Sequence, residues 1–372
     1  MKFLNIYLFV LFFLFISSMH PWFTWGIDVY ISILGAASTF FAILKGYIRI
    51  NLKNFYYSIL FFVLTIWTAN DFNIFGFLKI VLNWFIILGL ISLKPDIRSK
   101  CISYITKYLS ILLGVSLVAF FLFLLGLDWT HYEVQHEGSL ATNNNYYFFI
   151  SGVEARFYGP FLEPGFVTMG IAPLLFLNKY NLRNKFVFIL FVAQLFTFSI
   201  AGFVLLVLGY LFIVQYDKKR KNKPFRLLLA AVIGLFSFFA LLVIFGEEIV
   251  SNYIIDRFAW TGTTIQGDNR SSDYLDYVYD KVINSNMIWT GTHWDAELSE
   301  KGVAGYKLFI VKNGLVGLLL AILSYFTSLL FLKKIRLFNV FFVLFLLLIL
   351  FQNAYPLMWC LLICLFFSDS CR

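Results

Sequence analysis

The chain has 372 residues, of which 61% are hydrophobic, 21% aromatic and 13% charged. A soluble domain carries about 25% charged residues, so this composition excludes an ordinary soluble fold and points to lipid as the solvent. The net charge of +9 does not indicate nucleic acid, because the cations fall in short loops between apolar runs, where they orient a membrane protein.

Runs such as "FFVLFLLLILF" and "ILLGVSLVAFFLFLLGL" lack the polar–apolar alternation of an outer-membrane barrel. Helices satisfy their own backbone groups in hydrocarbon. An all-α polytopic membrane protein is therefore expected, a single integral membrane domain over 1–372. Its twelve spans are placed near 3–18, 22–44, 55–70, 72–93, 101–127, 166–178, 186–200, 202–216, 227–245, 306–332, 337–351 and 356–367. The first resembles a signal peptide. It is followed by "MHPWFTW" rather than a small-x-small cleavage site, so an uncleaved first helix is expected.

The stretch "FVFILFVAQLFTFSIAGFVLLVLGYLFIV" is long enough for one extended helix, but charge parity requires two. It is preceded by "NKYNLRNK" and followed by "DKKRKNKPFR", both basic and both expected in the cytoplasm, which demands a hairpin turning near Ser199 to Gly202. Lys45, Arg49 and Lys53, then Lys94, Arg98 and Lys100, then Lys333, Lys334 and Arg336 follow the same rule. Both termini come out cytoplasmic. Two long loops, 128–165 and 246–305, come out extracytoplasmic and acidic on balance. The four cysteines, Cys101, Cys360, Cys364 and Cys371, lie outside both loops, so no disulfide framework is expected.

The cations that remain in these loops have resisted the topological bias, and are candidates for function. Arg156 and Glu163 lie in "RFYGPFLEPGF", where Pro160 and Pro164 fix the backbone and Gly159 and Gly165 allow a close approach. Arginine binds phosphate oxygens in pairs through a rigid planar fork. The next span is short and carries Gly170 and Pro173, a mark of spans that line binding sites. The simpler alternative is an interfacial pair that anchors the loop.

The second loop offers Arg257, Arg270 and His293, with Gly291 and two tryptophans beside the histidine. In its "SSDYLDYVYDKVINSNMI", Leu275, Val278, Tyr279, Val282 and Ile283 share one helical face. This predicts an amphipathic helix near 272–288, lying on the membrane or over the bundle mouth, or else packed on the rest of its loop. His131 and His136 have no standard metal spacing, and no metal is expected there. Lys79 and Asp28 fall within expected spans, where a charge has a pairing or functional role or reaches for the interface. No P-loop, dinucleotide fingerprint or Ser-His-Asp order is present, so the energy for any reaction must reside in the substrate.

These features resemble the superfamily of O-antigen polymerases (Wzy) and O-antigen ligases, bacterial inner-membrane glycosyltransferases. The family shows an outer-loop Arg and Gly followed by "G-x-x-x-(D/E/N)-P-N" before a span; here it reads "RFYGPFLEPGF", with Gly165 in place of Asn. The family's hairpin turns at "S-R-G"; here "TFSIAG" keeps Ser199 and Gly202 without the Arg. A second loop with spaced arginines and a Gly near a His closes on "x-x-x-G-(I/L)-x-G", matched by Gly314 and Gly317 in "VKNGLVGLLL". The resemblance covers roughly residues 128–320 and the span count.

The resemblance implies a GT-C-like bundle in the bacterial inner (plasma) membrane. It implies transfer of an undecaprenyl-diphosphate-linked glycan onto a sugar hydroxyl of another lipid-linked repeat unit, for O-antigen or capsule. It implies no cofactor or metal, and a chain-length regulator and a flippase as partners. Arg156, Arg257 and Arg270 would hold the diphosphate, and His293 or Glu163 would serve in catalysis, with His293 favoured as base because an imidazole titrates near neutrality. The alternatives are an O-antigen ligase acting on lipid A-core and a lipid-linked oligosaccharide flippase or other transporter. The transporter reading calls for short loops and intramembrane charges, nearly the reverse of this chain.

Overall fold

The computed structural model describes residues 2–69, 73–127, 129–135, 142–151, 156–216, 273–292, 305–331, 336–353 and 357–368. The expected span 227–245 and the candidates His136, Arg257, Arg270 and His293 lie outside the described residues. The described residues are mostly helical. In chain order the helices are α1 (Lys2–Ser17), α2 (Asp28–Leu44), α3 (Leu52–Trp67), α4 (Ile74–Ile91), α5 (Pro95–Leu124), α6 (Pro164–Leu177), α7 (Lys185–Phe196), α8 (Ile200–Tyr216), α9 (Asp273–Ile283), α10 (Gly305–Thr327), α11 (Leu337–Asn353) and α12 (Trp359–Phe367). Three helical stretches, Ile74–Ile91, Pro95–Leu124 and Gly305–Phe331, are long and apolar enough to cross a membrane, and the described residues include shorter apolar helices of 10–17 residues.

Several ends differ from the sequence expectation for local reasons. The span expected from residue 22 begins at Asp28, because Trp22–Thr24 form a 3₁₀ turn after Pro21 and Gly26 takes φ +74°. The span expected from residue 101 begins at Pro95, whose fixed φ suits the first helical position; Asp96, Arg98 and Lys100 are carried in its first turns. The first loop, for which the sequence names no element, holds a three-stranded antiparallel sheet: β1 (Tyr132–Gln135), β2 (Thr142–Asn145) and β3 (Ile150–Ser151). Tyr132 pairs with Asn145, which pairs in turn with Ile150.

The long apolar stretch is two helices. Thr197 to Ser199 interrupt it, with Phe198 at φ +46°. Gln194 Nε2 donates to the Gly202 carbonyl at 3.0 Å across the break, which folds α8 back beside α7. At the far end Tyr210 of α8 packs on Tyr180, just beyond α6, and the Phe186 carbonyl at the start of α7 accepts from Ser110 at 2.8 Å.

The basic connections meet at one end of the bundle. Lys94 N–H bonds the Tyr47 carbonyl at 3.1 Å, Arg49 N–H bonds the Ser92 carbonyl at 3.0 Å, and Lys53 Nζ reaches the Leu330 carbonyl at 3.1 Å. Arg98 ties this end together. Its guanidinium donates to the Leu93 carbonyl at 2.7 Å, the Phe366 carbonyl at 3.1 Å and the Ile91 carbonyl, joining the ends of α4 and α12 to the start of α5. Phenylalanines fill the space between the ends: Phe61, Phe120, Phe157, Phe161, Phe176, Phe309, Phe342 and Phe345 are fully buried.

Hydrogen bonds to a charged donor contribute about 1.5–3 kcal/mol each. Arg98→Ala should therefore lower stability by roughly 2 kcal/mol or more. Arg98→Lys should recover less than half of the loss, because an ammonium cannot span three carbonyls as a planar fork does. Thermal unfolding in detergent reads both values, and a wild-type midpoint for Arg98→Ala would remove the tie.

Candidate functional site

The stretch 156–166 crosses the other end of the bundle and is held by main-chain bonds on both sides. Phe157 N–H donates to the Phe196 carbonyl at 3.0 Å, fixing it to the α7–α8 turn. Ile150 N–H reaches the Gly159 carbonyl at 2.7 Å, joining it to β3. Trp22 N–H bonds the Pro160 carbonyl at 3.0 Å, and Leu162 N–H bonds the His20 carbonyl at 3.1 Å. Phe157 and Phe161 are fully buried and anchor the crossing in the core.

Arg156 is half-buried, and its Nε donates to the Thr197 carbonyl at 3.1 Å. That carbonyl is itself fixed. Thr197 Oγ1 donates to the Gln194 carbonyl at 2.7 Å, lies 3.5 Å from Thr168 Oγ1 and accepts from Ser199 N–H at 3.4 Å. Ser199 Oγ caps α8 by accepting from Gly202 N–H at 3.3 Å. Thr168, Gln194, Thr197 and Ser199 are all buried, so the cluster positions the turn from within.

Glu163 stands at the N-cap of α6, exposed, and its side chain makes no cap bond. The favourable site for its charge is the helix N-terminus. Among the described residues no ion pair joins it to Arg156, so Glu163 does not orient Arg156 by direct pairing.

Gly159 takes φ +57°, and a β-carbon there would meet Leu113 at 3.2 Å, so glycine is favoured there by both backbone and space. A β-carbon at Gly165 would meet nothing within 4 Å, so no other part of the described chain crowds that position. Gly291 is tightly approached, at φ +78°, but by the Lys312 main chain, so the close contact is the chain's own.

That contact is one half of a reciprocal arrangement. α10 breaks at Gly314, which takes φ +62° and ψ −173°, and a β-carbon there would strike the Trp289 carbonyl group. Thr292 N–H bonds the Val311 carbonyl at 2.7 Å, and Val316 N–H bonds the Trp289 carbonyl at 3.1 Å. Trp67 Nε1 takes the Asn313 carbonyl at 2.9 Å. Thr292 precedes His293 in sequence. The amphipathic helix forms as α9 and settles on α10, with Leu275 and Val282 buried against Val311 and Asp276 bonded to Lys307 at 2.7 Å. Its apolar face thus packs on a long apolar helix of the bundle.

Elsewhere, Lys79 and Asp28 approach to 4.0 Å between α4 and α2, which gives each charge a partner. His131 lies beside Tyr146, ring centroids 4.8 Å apart, and no metal-holding cluster occurs among the described residues.

Sequence reasoning passed over His20. Its ring packs 4.8 Å from Phe166, its carbonyl accepts from Leu162 N–H and Trp25 Nε1, and its φ is +53°. It thereby adjoins the segment that carries Glu163. The signal was the "HPW" just after the first apolar run. Gln194, Thr197 and Thr168 were passed over too, although polar residues within apolar segments mark positions of consequence. Comparison with family models, curated proteins and solved structures finds no match to this chain.

Gly314 occupies a backbone region that is nearly exclusive to glycine, where another residue costs about 1–3 kcal/mol before any clash. Gly314→Ala should lower stability by roughly 3 kcal/mol. Gly165→Ala should stay within about 0.5 kcal/mol of wild type. Thermal unfolding of the two variants side by side tests the contrast, and equal melting temperatures would refute it.

Proposed function

We propose that the chain is a polysaccharide repeat-unit polymerase of the bacterial inner membrane, a GT-C-like bundle of about twelve spans with two long extracytoplasmic loops. The observation that carries the reading is the placement of Arg156. It is fixed through the Thr197 carbonyl at the end of the bundle opposite the basic connections. By the positive-inside rule the basic end is cytoplasmic, so Arg156 faces the outer leaflet, where a lipid-linked glycan awaits transfer. Both termini are then cytoplasmic.

In the reaction, the bond between the anomeric carbon and the undecaprenyl diphosphate oxygen breaks, and the diphosphate departs with the electron pair. A new bond forms from that carbon to a hydroxyl oxygen of a second lipid-linked repeat unit. Arg156, with Arg257 and Arg270, stabilises the charge developing on the leaving diphosphate. His293 accepts the hydroxyl proton. Glu163, exposed beside this crossing, is the second candidate for that proton.

Topology is tested by reporter fusions. A fusion at Asn144 should report the extracytoplasmic side and one at Asn222 the cytoplasm; an external Asn222 would undo the orientation.

Chemistry is tested with the purified protein and an undecaprenyl-diphosphate-linked donor, measuring binding and transfer separately. Arg156→Ala should abolish transfer, and Arg156→Lys should restore little of it, since a point charge does not reproduce paired contacts. His293→Gln should keep donor binding while transfer falls about 10²-fold or more, the scale of general-base loss. Normal transfer by His293→Gln together with a bound but unreactive donor on Glu163→Gln would reverse the two roles. Normal polymer length with Arg156→Lys would reduce Arg156 to an anchor.

A further inference from the structure

At the basic end of the bundle, a cavity of about 330 Å³ lies between α5 and the connection from α6 to α7. Its volume falls at the lower end of the range for small-ligand sites, about 300–1,000 Å³. Ser99, Ser103, Thr106 and Lys107 line it from one face of α5, and Lys179 and Asn184 line it from the connection. Among the described residues that line it there is no carboxylate. Asn184 also caps α7, accepting from Phe186 N–H at 3.0 Å, so the positive end of that helix dipole borders the cavity.

The wall carrying Lys179 is built with some strain. Lys179 N–H bonds the Phe176 carbonyl at 2.8 Å and Tyr180 N–H bonds the Leu175 carbonyl at 2.9 Å, the pattern of a Schellman motif. The left-handed position of that motif is usually glycine. Here it is Lys179, at φ +52°, followed by Tyr180 at φ +49°. Strained residues of this kind gather at ligand sites. Asn178 Nδ2 pins the turn to Thr106 Oγ1 of α5 at 3.1 Å, and the Lys179 ammonium lies 6.0 Å from the centre of the Phe338 ring.

We infer that this cavity binds a phosphate anion, carried by the headgroup of an acidic phospholipid or free in solution. Two ammonium groups, several hydroxyls and a helix N-terminus supply the complementary charge and donors. Basic pockets between helices on the cytoplasmic side of a membrane bind acidic headgroups for the same reasons. The inference is independent of the transferase reading, since the cavity lies at the opposite end from Arg156.

The test uses the full chain, stripped of lipid in detergent and titrated with phosphatidylglycerol, phosphatidylcholine or inorganic phosphate. Bound lipid is counted by native mass spectrometry, and phosphate binding is followed by thermal unfolding. Wild type should bind phosphatidylglycerol saturably and phosphatidylcholine far less. The double variant Lys107→Gln/Lys179→Gly should bind at least about tenfold more weakly. Lys179→Gly suits the left-handed backbone, so the unliganded melting temperature should not fall. Lys107→Gln alone, at an exposed position, carries the same test without touching that turn.

Lys45→Gln/Arg49→Gln, which removes the same charge from the same end, should bind within about twofold of wild type. Loss of phosphate binding with unchanged lipid binding in Lys107→Gln/Lys179→Gly would identify a free anion as the ligand; the converse would identify a headgroup. Wild-type binding of both probes by that variant would overturn the inference. Equal weakening in Lys45→Gln/Arg49→Gln would also overturn it, leaving only general attraction to a basic surface.

Discussion

Every helix that stops or bends inside an apolar bundle leaves carbonyls that water does not reach, and an unpaired polar group there costs roughly 2–7 kcal/mol. This chain meets its interruptions with donors from outside the interrupted helix. The Thr197 carbonyl receives Arg156, and the Asn313 carbonyl receives Trp67. The Val311 carbonyl receives Thr292 N–H, and the His20 carbonyl receives Leu162 N–H and Trp25. The carbonyls of Ile91, Leu93 and Phe366 share Arg98. Apart from the local bonds of Trp25 to His20 and of Arg98 to Leu93 and Ile91, these bonds join parts of the chain that local helix propensity does not connect, so the order of the bundle follows in good part from where its helices fail.

The same requirement shapes the candidate site. Arg156 satisfies a carbonyl at the α7–α8 turn, and that bond holds a guanidinium at a defined place on one end of the bundle. A guanidinium has five N–H donors in a rigid plane, so committing Nε to the main chain fixes the direction of the whole fork. Lysine offers no such division between an anchoring donor and a recognition face. The buried hydroxyls of Thr168 and Thr197 and the amide of Gln194 act one step further back, by fixing the carbonyl that fixes the arginine.

The sequence was most legible where one physical rule dominates. Apolar runs located the described helices, and charge parity divided 186–216 into two segments that the structure forms as α7 and α8. The amphipathic pattern at 272–288 became α9, but its docking partner, α10, was not written in the pattern, because a helical face records burial without naming what buries it. The strands at 132–151 were missed, since "TNNN" has neither alternation nor β-branched residues beyond its threonine, and its pairing comes from neighbours. Arg156 stood out as a cation where cations are rare. His20 did not, because its position beside Phe166 depends on a crossing made about 140 residues later in the chain.

Glycines were the least legible residues, because the sequence does not say what approaches them. Gly291 stands beside His293 as a candidate for close approach and Gly314 in a motif that opens a span, yet each is approached by the backbone of the segment bearing the other: Lys312 faces Gly291, and Trp289 faces Gly314. The two positions therefore form a single joint. A β-carbon at either one separates the same two segments and strains the same two hydrogen bonds, Thr292 to Val311 and Val316 to Trp289. Groups that share partners in this way do not contribute additively. The joint is made as a whole or not at all, which is how a short turn in a long loop acquires a fixed seat on a helix that is itself broken at that point.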